Sequence, residues 1–317
     1  MKTLLITRSI AQPVLDQARA VFDVTVGSAP LTQDQAADAL TRFDAILPTL
    51  GDTFDAGAFA AAQAHGIRCG VLGNFGVGYN HIDVAAARAA GVVVSNTPDV
   101  LTDATADLGW TLILATARRA GEGERMLRAG QWGGFGPKGT LGTHVTGKVL
   151  GIVGMGRIGQ AVARRGHFGF GMPVVYFNRS VKAMDFPARQ VPHLHDVMAQ
   201  ADFVVVTVPG GAGNTGLIDA AALAAMKPTG IFVNIARGEV VDEAALIDTL
   251  AAGRIAGAGL DVYEKEPFVP PALIALENCV LLPHLGSATV ETRIAMGQLA
   301  LDNIIAWSQG RALPTGV

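Results

Sequence analysis

Short apolar runs of strand length alternate with helix-length stretches along almost the whole chain, and that alternation leaves few architectures open. KTLLIT, FDVTVG, DAILPTL, RCGVLGN and VVVSN occur in the first hundred residues, separated by PVLDQARAVF, LTQDQAADALTRF, DAGAFAAAQAHG and DVAAARAAG. A repeated β-α order with such short connections predicts a parallel sheet with helices on both faces. A second series starts at Val149 with VLGIVG and continues through PVVYFN, DFVVVTVP, GIFVNIA, AGAGLDV and CVLLPH. These runs are apolar throughout, as strands buried on both faces require.

With 317 residues, 50% of them apolar, the chain exceeds what one core usually organises, and two domains are expected. Asn96-Thr97-Pro98-Asp99 closes the first series as a turn. A long apolar helix follows over Leu101 to Arg119, then the Gly-rich loop QWGGFGPKGTLG with Trp132 and Phe135 as aromatic tips. After Ala288, TVETRIAMGQLALDNIIAWSQG reads as a helix long enough to return to the first sheet. The expectation is an α/β fold of two Rossmann-like, doubly wound parallel-sheet domains. Residues 1–97 and 287–317 form one, a flavodoxin-like substrate-binding domain, and residues 98–286 form the dinucleotide-binding domain. Two crossings make a hinge, and a deep interdomain cleft able to close over ligand.

The net charge of -3, with scattered arginines, argues against a nucleic-acid partner. Cys69 and Cys279 stand far apart among apolar residues, which fits buried thiols in a reducing cytoplasm. Arg8 and Gln12 cut short the apolar start MKTLLITRSI, and no apolar run reaches the length of a membrane span, so no membrane partner is expected.

Gly154-Met155-Gly156-Arg157-Ile158-Gly159 follows the strand Val149 to Val153 and opens a helix over Ile158 to Gly166. The first glycine permits a tight turn, the second lets backbone approach a pyrophosphate, and the third allows close helix–strand packing. Free N–H groups and the positive dipole end of the helix suit phosphate. The next strand, Val174 to Phe177, ends on Asn178-Arg179-Ser180 instead of the acid that would hold the ribose 2′-hydroxyl of NAD. No carboxylate there repels a 2′-phosphate, and a guanidinium and a hydroxyl can bind one, which favours NADP(H) with NAD(H) as the alternative. A solvated turn arginine is the competing reading of Arg179.

Arg237 in NIARG, Glu266 in EKEP and His284 in LLPHLGS each lie just past one of the apolar strands. Ligands of open α/β sheets bind outside the carboxyl ends of the strands, so the three side chains should converge. Reduction of a 2-oxo acid needs a cation for carboxylate and carbonyl oxygen, a proton donor at that oxygen, and a group that keeps the donor charged. Arg237 supplies a planar fork. His284 can give and recover a proton near neutral pH, and Glu266 would hold its ring. Taken singly, each is as readily a surface charge, a turn acid or a packed histidine. Asp261, at the end of AGAGLDV, is a cap or loop residue, or a contact to the nicotinamide amide.

In the first domain, the loop Asn74 to Asp83 follows the strand Arg68 to Leu72, and glycines at Gly76 and Gly78 would expose N–H groups as a nest for a carboxylate. A plain Gly-rich βα loop is the alternative. Leu50 and Gly51 should help shape the pocket, as should Trp132 or Phe135 if that loop reaches across a dimer. His81 reads as structural, His193 and His195 as residues of a polar loop, and no metal site is indicated. No GxSxG or Cys–His arrangement suggests a hydrolase.

NFGVGYNHID, NTPDVLTDATAD, GIVGMGRIGQ, VNIARGEVVDEAAL, GLDVYEKEP and LLPHLGSATVETR, in that order, resemble the successive signatures of the D-isomer-specific 2-hydroxyacid dehydrogenase family over essentially the whole chain. Within it, NRS and the C-terminal segment look most like glyoxylate/hydroxypyruvate reductases and hydroxyphenylpyruvate reductases. The resemblance implies a homodimer formed largely through the dinucleotide-binding domain, substrate binding by Arg237, acid–base work by His284, and Glu266 as its partner. It further implies that Val77 and Gly78 donate backbone hydrogen bonds to the carboxylate, and that Thr105, Pro209, Ala236, Asp261 and Gly286 approach the cofactor. The expected activity is NADPH-dependent reduction of a 2-oxo acid to the D-2-hydroxy acid. The alternatives are a larger 2-oxo acid as substrate, such as hydroxyphenylpyruvate or 2-ketogluconate, and a corepressor-like binding protein of the same fold.

Overall fold

A computed structural model describes all residues, Met1 to Val317, and they fall into two compact units. Unit 1 comprises Met1–Leu101 and Ser287–Val317, and unit 2 comprises Thr102–Gly286.

Unit 1 alternates β1 (Thr3–Ile6), α1 (Gln12–Val21), β2 (Asp23–Val26), α2 (Gln33–Arg42), β3 (Ala45–Leu47), α3 (Ala56–Gln63), β4 (Val71–Gly73), α4 (Val84–Ala89) and β5 (Val93–Ser95). The five strands are all parallel in the order β2-β1-β3-β4-β5. The strand read over Arg68 to Leu72 begins only at Val71, because the N–H groups of Arg68 and Cys69 both turn to the Leu40 carbonyl. The C-terminal helix of the chain (Val290–Ser308) belongs to this unit and packs on α1, β3 and β4. It comes close because β4 ends in Gly73, where a Cβ would stand 2.7 Å from the Ile304 side chain.

Unit 2 opens with α5 (Thr102–Ala117) and α6 (Ala120–Arg128), followed by β6 (Leu150–Val153), α7 (Arg157–Phe170), β7 (Val174–Phe177), β8 (Ala188–Gln190), α8 (Leu194–Gln200) and β9 (Phe203–Val206). It continues through α9 (Ala220–Ala224), β10 (Ile231–Asn234), a 3-10 turn (Gly238–Val240), α10 (Glu243–Ala251), β11 (Gly257–Leu260), α11 (Pro271–Ile274) and β12 (Cys279–Leu281); the C-terminal helix is then α12. Seven parallel strands run in the order β12-β11-β10-β9-β6-β7-β8. The order reverses at β6, so the crevice outside its carboxyl end is the expected ligand position. Each unit thus has the expected doubly wound parallel architecture.

Trp110 of α5 fixes α7: its indole N–H donates to the Val162 carbonyl at 3.1 Å, and its ring stacks on Phe170 at 4.4 Å. Three elements were not anticipated. α6 precedes the Gly-rich loop, and the short edge strand β8 extends the second sheet. α8 replaces the polar loop expected around His193 and His195, with the His193 N–H donating to Asp196 at 3.2 Å. Cys69 and Cys279 are buried, one in each unit. No helix is long and apolar enough to cross a membrane.

Candidate active site

Strand register gathers the charged residues of unit 2. Asn234 of β10 pairs with Leu260 of β11, which pairs with Leu281 of β12, so the loops after all three strands leave the sheet side by side. His284 Nδ1 lies 2.8 Å from Glu266 Oε2, and the other carboxylate oxygen accepts the Tyr263 N–H at 3.1 Å. Burial pushes the Glu266 carboxyl up, but the His284 hydrogen bond and charge, the Tyr263 N–H and the Arg237 charge together hold it below its ordinary range. Arg237 is half-buried; burial disfavours its charge, while the Glu266 and Glu239 carboxylates favour it. One of its Nη atoms donates to the Ala236 carbonyl at 2.7 Å.

His284 sits at φ 55°, in the left-handed region. The cause is Asp261, whose carbonyl accepts the His284 N–H at 2.9 Å and whose carboxylate accepts the N–H groups of Leu285 at 2.6 Å and Gly286 at 2.9 Å. Asp261 is buried, and burial raises its carboxyl pKa against the pull of those donors and of His284. It therefore shapes the histidine turn, as a loop-organising residue. A Cβ on Gly286 would stand 3.3 Å from Asp261 and 3.4 Å from Thr105, which places the buried Thr105 of α5 beside the same turn.

Two bracing residues escaped the sequence reading. Asn234, buried at the end of β10, accepts the Ala236 N–H at 3.0 Å and donates to the Arg237 carbonyl at 3.0 Å, so it sets the turn that presents Arg237. A polar residue inside the apolar run IFVNI was its only sign. Gly238 follows because a Cβ there would fall 1.9 Å from the Tyr263 backbone.

The glycine turn leaves the end of β6, separated from this group by β9. Gly154 has φ 99°, and a Cβ on Gly159 would stand 2.3 Å from the Gly154 carbonyl, so both are required by the turn itself. Six helices of the chain begin on Thr32, Asp55, Asp83, Asp219, Asp242 or Thr289, whose side chains accept a first-turn N–H. α7 begins instead on Gly156, with no side-chain cap and open space where a Cβ would be. With a glycine cap that leaves room for a ligand, this end of α7, with Arg157 and Ile158 in its first turn, fits a pyrophosphate. Val153 pairs with Phe177, which brings Asn178 to the turn, where its Oδ1 accepts the Met155 N–H at 3.1 Å. Arg179 and Ser180 are exposed just beyond, as is Pro209 in the loop after β9.

In unit 1, the carbonyls of Gly76 and Gly78 accept the Asn74 carboxamide at 3.0 and 3.1 Å, and that of Val77 accepts the Asn96 carboxamide at 2.9 Å. These bonds fix the carbonyls of the loop from both ends. Leu50 is 39% exposed, and Gly51 has φ 101°. No cluster of metal-ligating side chains is present.

Residues 110–286 match the family model described as D-isomer specific 2-hydroxyacid dehydrogenase, NAD binding domain. The chain belongs to that family. It is 44% identical over 322 residues to a glyoxylate reductase of Thermococcus kodakarensis, covering 98% of this chain and 95% of the relative. It is 43% identical over 284 residues to glyoxylate/hydroxypyruvate reductase B of Serratia proteamaculans, covering 88% and 86%. Among solved structures, an NADPH-dependent glyoxylate/hydroxypyruvate reductase of Sinorhizobium meliloti in complex with NADP and malonate superposes with a TM-score of 0.88 at 36% identity, covering 100% of this chain and 96% of that one. The family makes this chain a 2-hydroxyacid dehydrogenase oxidoreductase, and unit 2 carries its NAD(P)-binding domain.

Proposed function

We propose that the protein reduces a small 2-oxo acid of the glyoxylate or hydroxypyruvate type to the D-2-hydroxy acid, with NADPH as the preferred reductant. The observation that carries the chemistry is the His284–Glu266 pair at 2.8 Å beside Arg237. The named activity of the relatives supports the substrate class.

When bound, the nicotinamide cofactor supplies a hydride for the keto carbon. Gly154, Gly156, Arg157, Ile158 and Gly159 are assigned to its pyrophosphate, and Asn178, Arg179 and Ser180 to the 2′-phosphate. Thr105, Pro209, Ala236, Asp261 and Gly286 are assigned to its nicotinamide end. Arg237 binds carboxylate and carbonyl oxygen, and its charge favours the negative oxygen that develops there. The N–H groups of Val77 and Gly78 are assigned to the carboxylate, and the Leu50–Gly51 loop to the substrate's far end.

With Nδ1–H donated to Glu266, the other ring nitrogen of His284, Nε2, holds the proton that passes to the carbonyl oxygen. Glu266 stays ionised and so stabilises the imidazolium before transfer. At 28% side-chain exposure, His284 can recover a proton from water after each turnover. A homodimer is part of the same reading: Leu127 of α6, then Trp132, Phe135 and Leu141, expose 60%, 61%, 93% and 67% of their surfaces in one segment of unit 2.

The test is kcat/KM for glyoxylate, hydroxypyruvate, 2-ketogluconate and hydroxyphenylpyruvate with each reductant. The two small acids with NADPH should lead. Turnover confined to the aromatic acid would move the substrate assignment, and no turnover with any acid would favour a binding protein of the same fold.

A further inference from the structure

We propose that Gln190 is a positioning residue for cofactor choice, holding the loop Asn178–Lys182 in the conformation that presents Arg179 and Ser180 to a 2′-phosphate. The proposal rests on the NADP(H) reading above and extends it to a residue that itself touches no cofactor.

Gln190 ends the edge strand β8 and pairs in register with Tyr176 of β7. Its Nε2 donates to the Asn178 carbonyl at 2.7 Å. The Asn178 carboxamide in turn donates to the Ser180 carbonyl at 2.7 Å while its Oδ1 holds the Met155 N–H of the glycine turn. At the far end of the loop, the Lys182 N–H donates to the hydroxyl of the buried Tyr176 at 3.1 Å. The backbone is thus tied at residues 178, 180 and 182, and the exposed side chains are those of Arg179, Ser180 and Val181, of which Arg179 and Ser180 can meet a phosphate; the Ser180 hydroxyl also accepts the Asn178 carboxamide at 3.4 Å.

A five-residue polar loop without these ties would have to be ordered by the ligand itself, at the expense of affinity. Only a glutamine or asparagine can donate to the Asn178 carbonyl by an uncharged amide, and the edge strand sets the distance that the longer side chain spans. The contribution is selective: a cofactor without a 2′-phosphate has nothing for Arg179 to bind, so it gains nothing from a preformed loop.

The test is the Kd of NADPH and of NADH, read from nicotinamide fluorescence on the full-length protein, for the wild type, Gln190→Met, Tyr176→Phe, Arg179→Ala and the Gln190→Met/Arg179→Ala double variant. Loss of one hydrogen bond should weaken NADPH by roughly three- to tenfold, with NADH within about twofold. Tyr176→Phe, which acts at the loop's other end, should weaken NADPH selectively as well. In the Arg179→Ala background, Gln190→Met should weaken NADPH less than it does alone, because only Ser180 is left to benefit from the held loop. Equal weakening of both cofactors, no change, or full additivity with Arg179→Ala would overturn the positioning role. A wild type that binds NADH as tightly as NADPH would overturn the cofactor reading and this proposal with it, whereas a clear wild-type preference untouched by Gln190→Met sinks this proposal alone.

Discussion

His284 keeps a left-handed backbone although it carries a Cβ, a conformation that costs on the order of 1 kcal/mol. Three hydrogen bonds to Asp261 hold it there and aim the ring at Glu266. His284→Gln should lower kcat by on the order of 10²–10⁴ while NADPH binding survives; steady-state rates beside a fluorescence titration check both halves. Arg237→Lys should be severely impaired as well, with KM for the 2-oxo acid raised, because a point charge cannot reproduce a planar fork. Near-normal kcat/KM would place Arg237 away from substrate. The grouping of Glu266 and His284 beside Arg237 was legible because each has an ionisable side chain in the loop that follows an apolar strand. Asn234 and Gln190 were not, since their partners are backbone carbonyls and amides that no spacing reveals.

At the scale of elements, the strands of the second sheet that are buried throughout declared themselves by short, largely apolar runs such as FVVV and LGIV. The edge strand β8 did not: Ala188-Arg189-Gln190 is polar because one side of it meets solvent. α6 was hidden for a related reason, since none of its residues is buried and most of them are glycine or charged. Asp44, at the start of β3, ties β1 to the approach to β4. It accepts the Thr3 N–H at 2.7 Å, the Thr3 hydroxyl at 2.9 Å, and Nε and an Nη of Arg68 at 2.9 Å each. The Arg68 hydrogen bonds lead the effects that lower its pKa from 3.8 to about 2, against the opposing effect of burial. A depressed carboxylate stabilises the fold above its unfolded pKa and loses that contribution as pH falls through the folded value. Asp44→Asn should therefore lower Tm at neutral pH, and the gap to wild type should close between pH 3.8 and about 2. A gap that persists in acid would mean that the charge is not what Asp44 contributes.

For the whole molecule, the β-α alternation gave away the fold class because doubly wound sheets admit so few other sequences. The resemblance to the dehydrogenase family rested on six ordered segments instead of one glycine turn, which alone would be weak. A ligand that binds only the folded state stabilises it by mass action. NADPH at a hundred times its Kd should add about 2.7 kcal/mol, seen as a raised Tm in calorimetry, and NADH at the same concentration should add less. Equal shifts would argue against a 2′-phosphate site.

Burial also pushes the thiols of Cys69 and Cys279 up to about 12, one in each compact unit. Neither forms appreciable thiolate at neutral pH, so alkylating reagents should leave the native protein unmodified for as long as both halves stay shut. Each sulfur is in effect a built-in clock for its own half: brief exposure to iodoacetamide in rising urea, followed by peptide mapping, would time the two openings separately in one untagged sample.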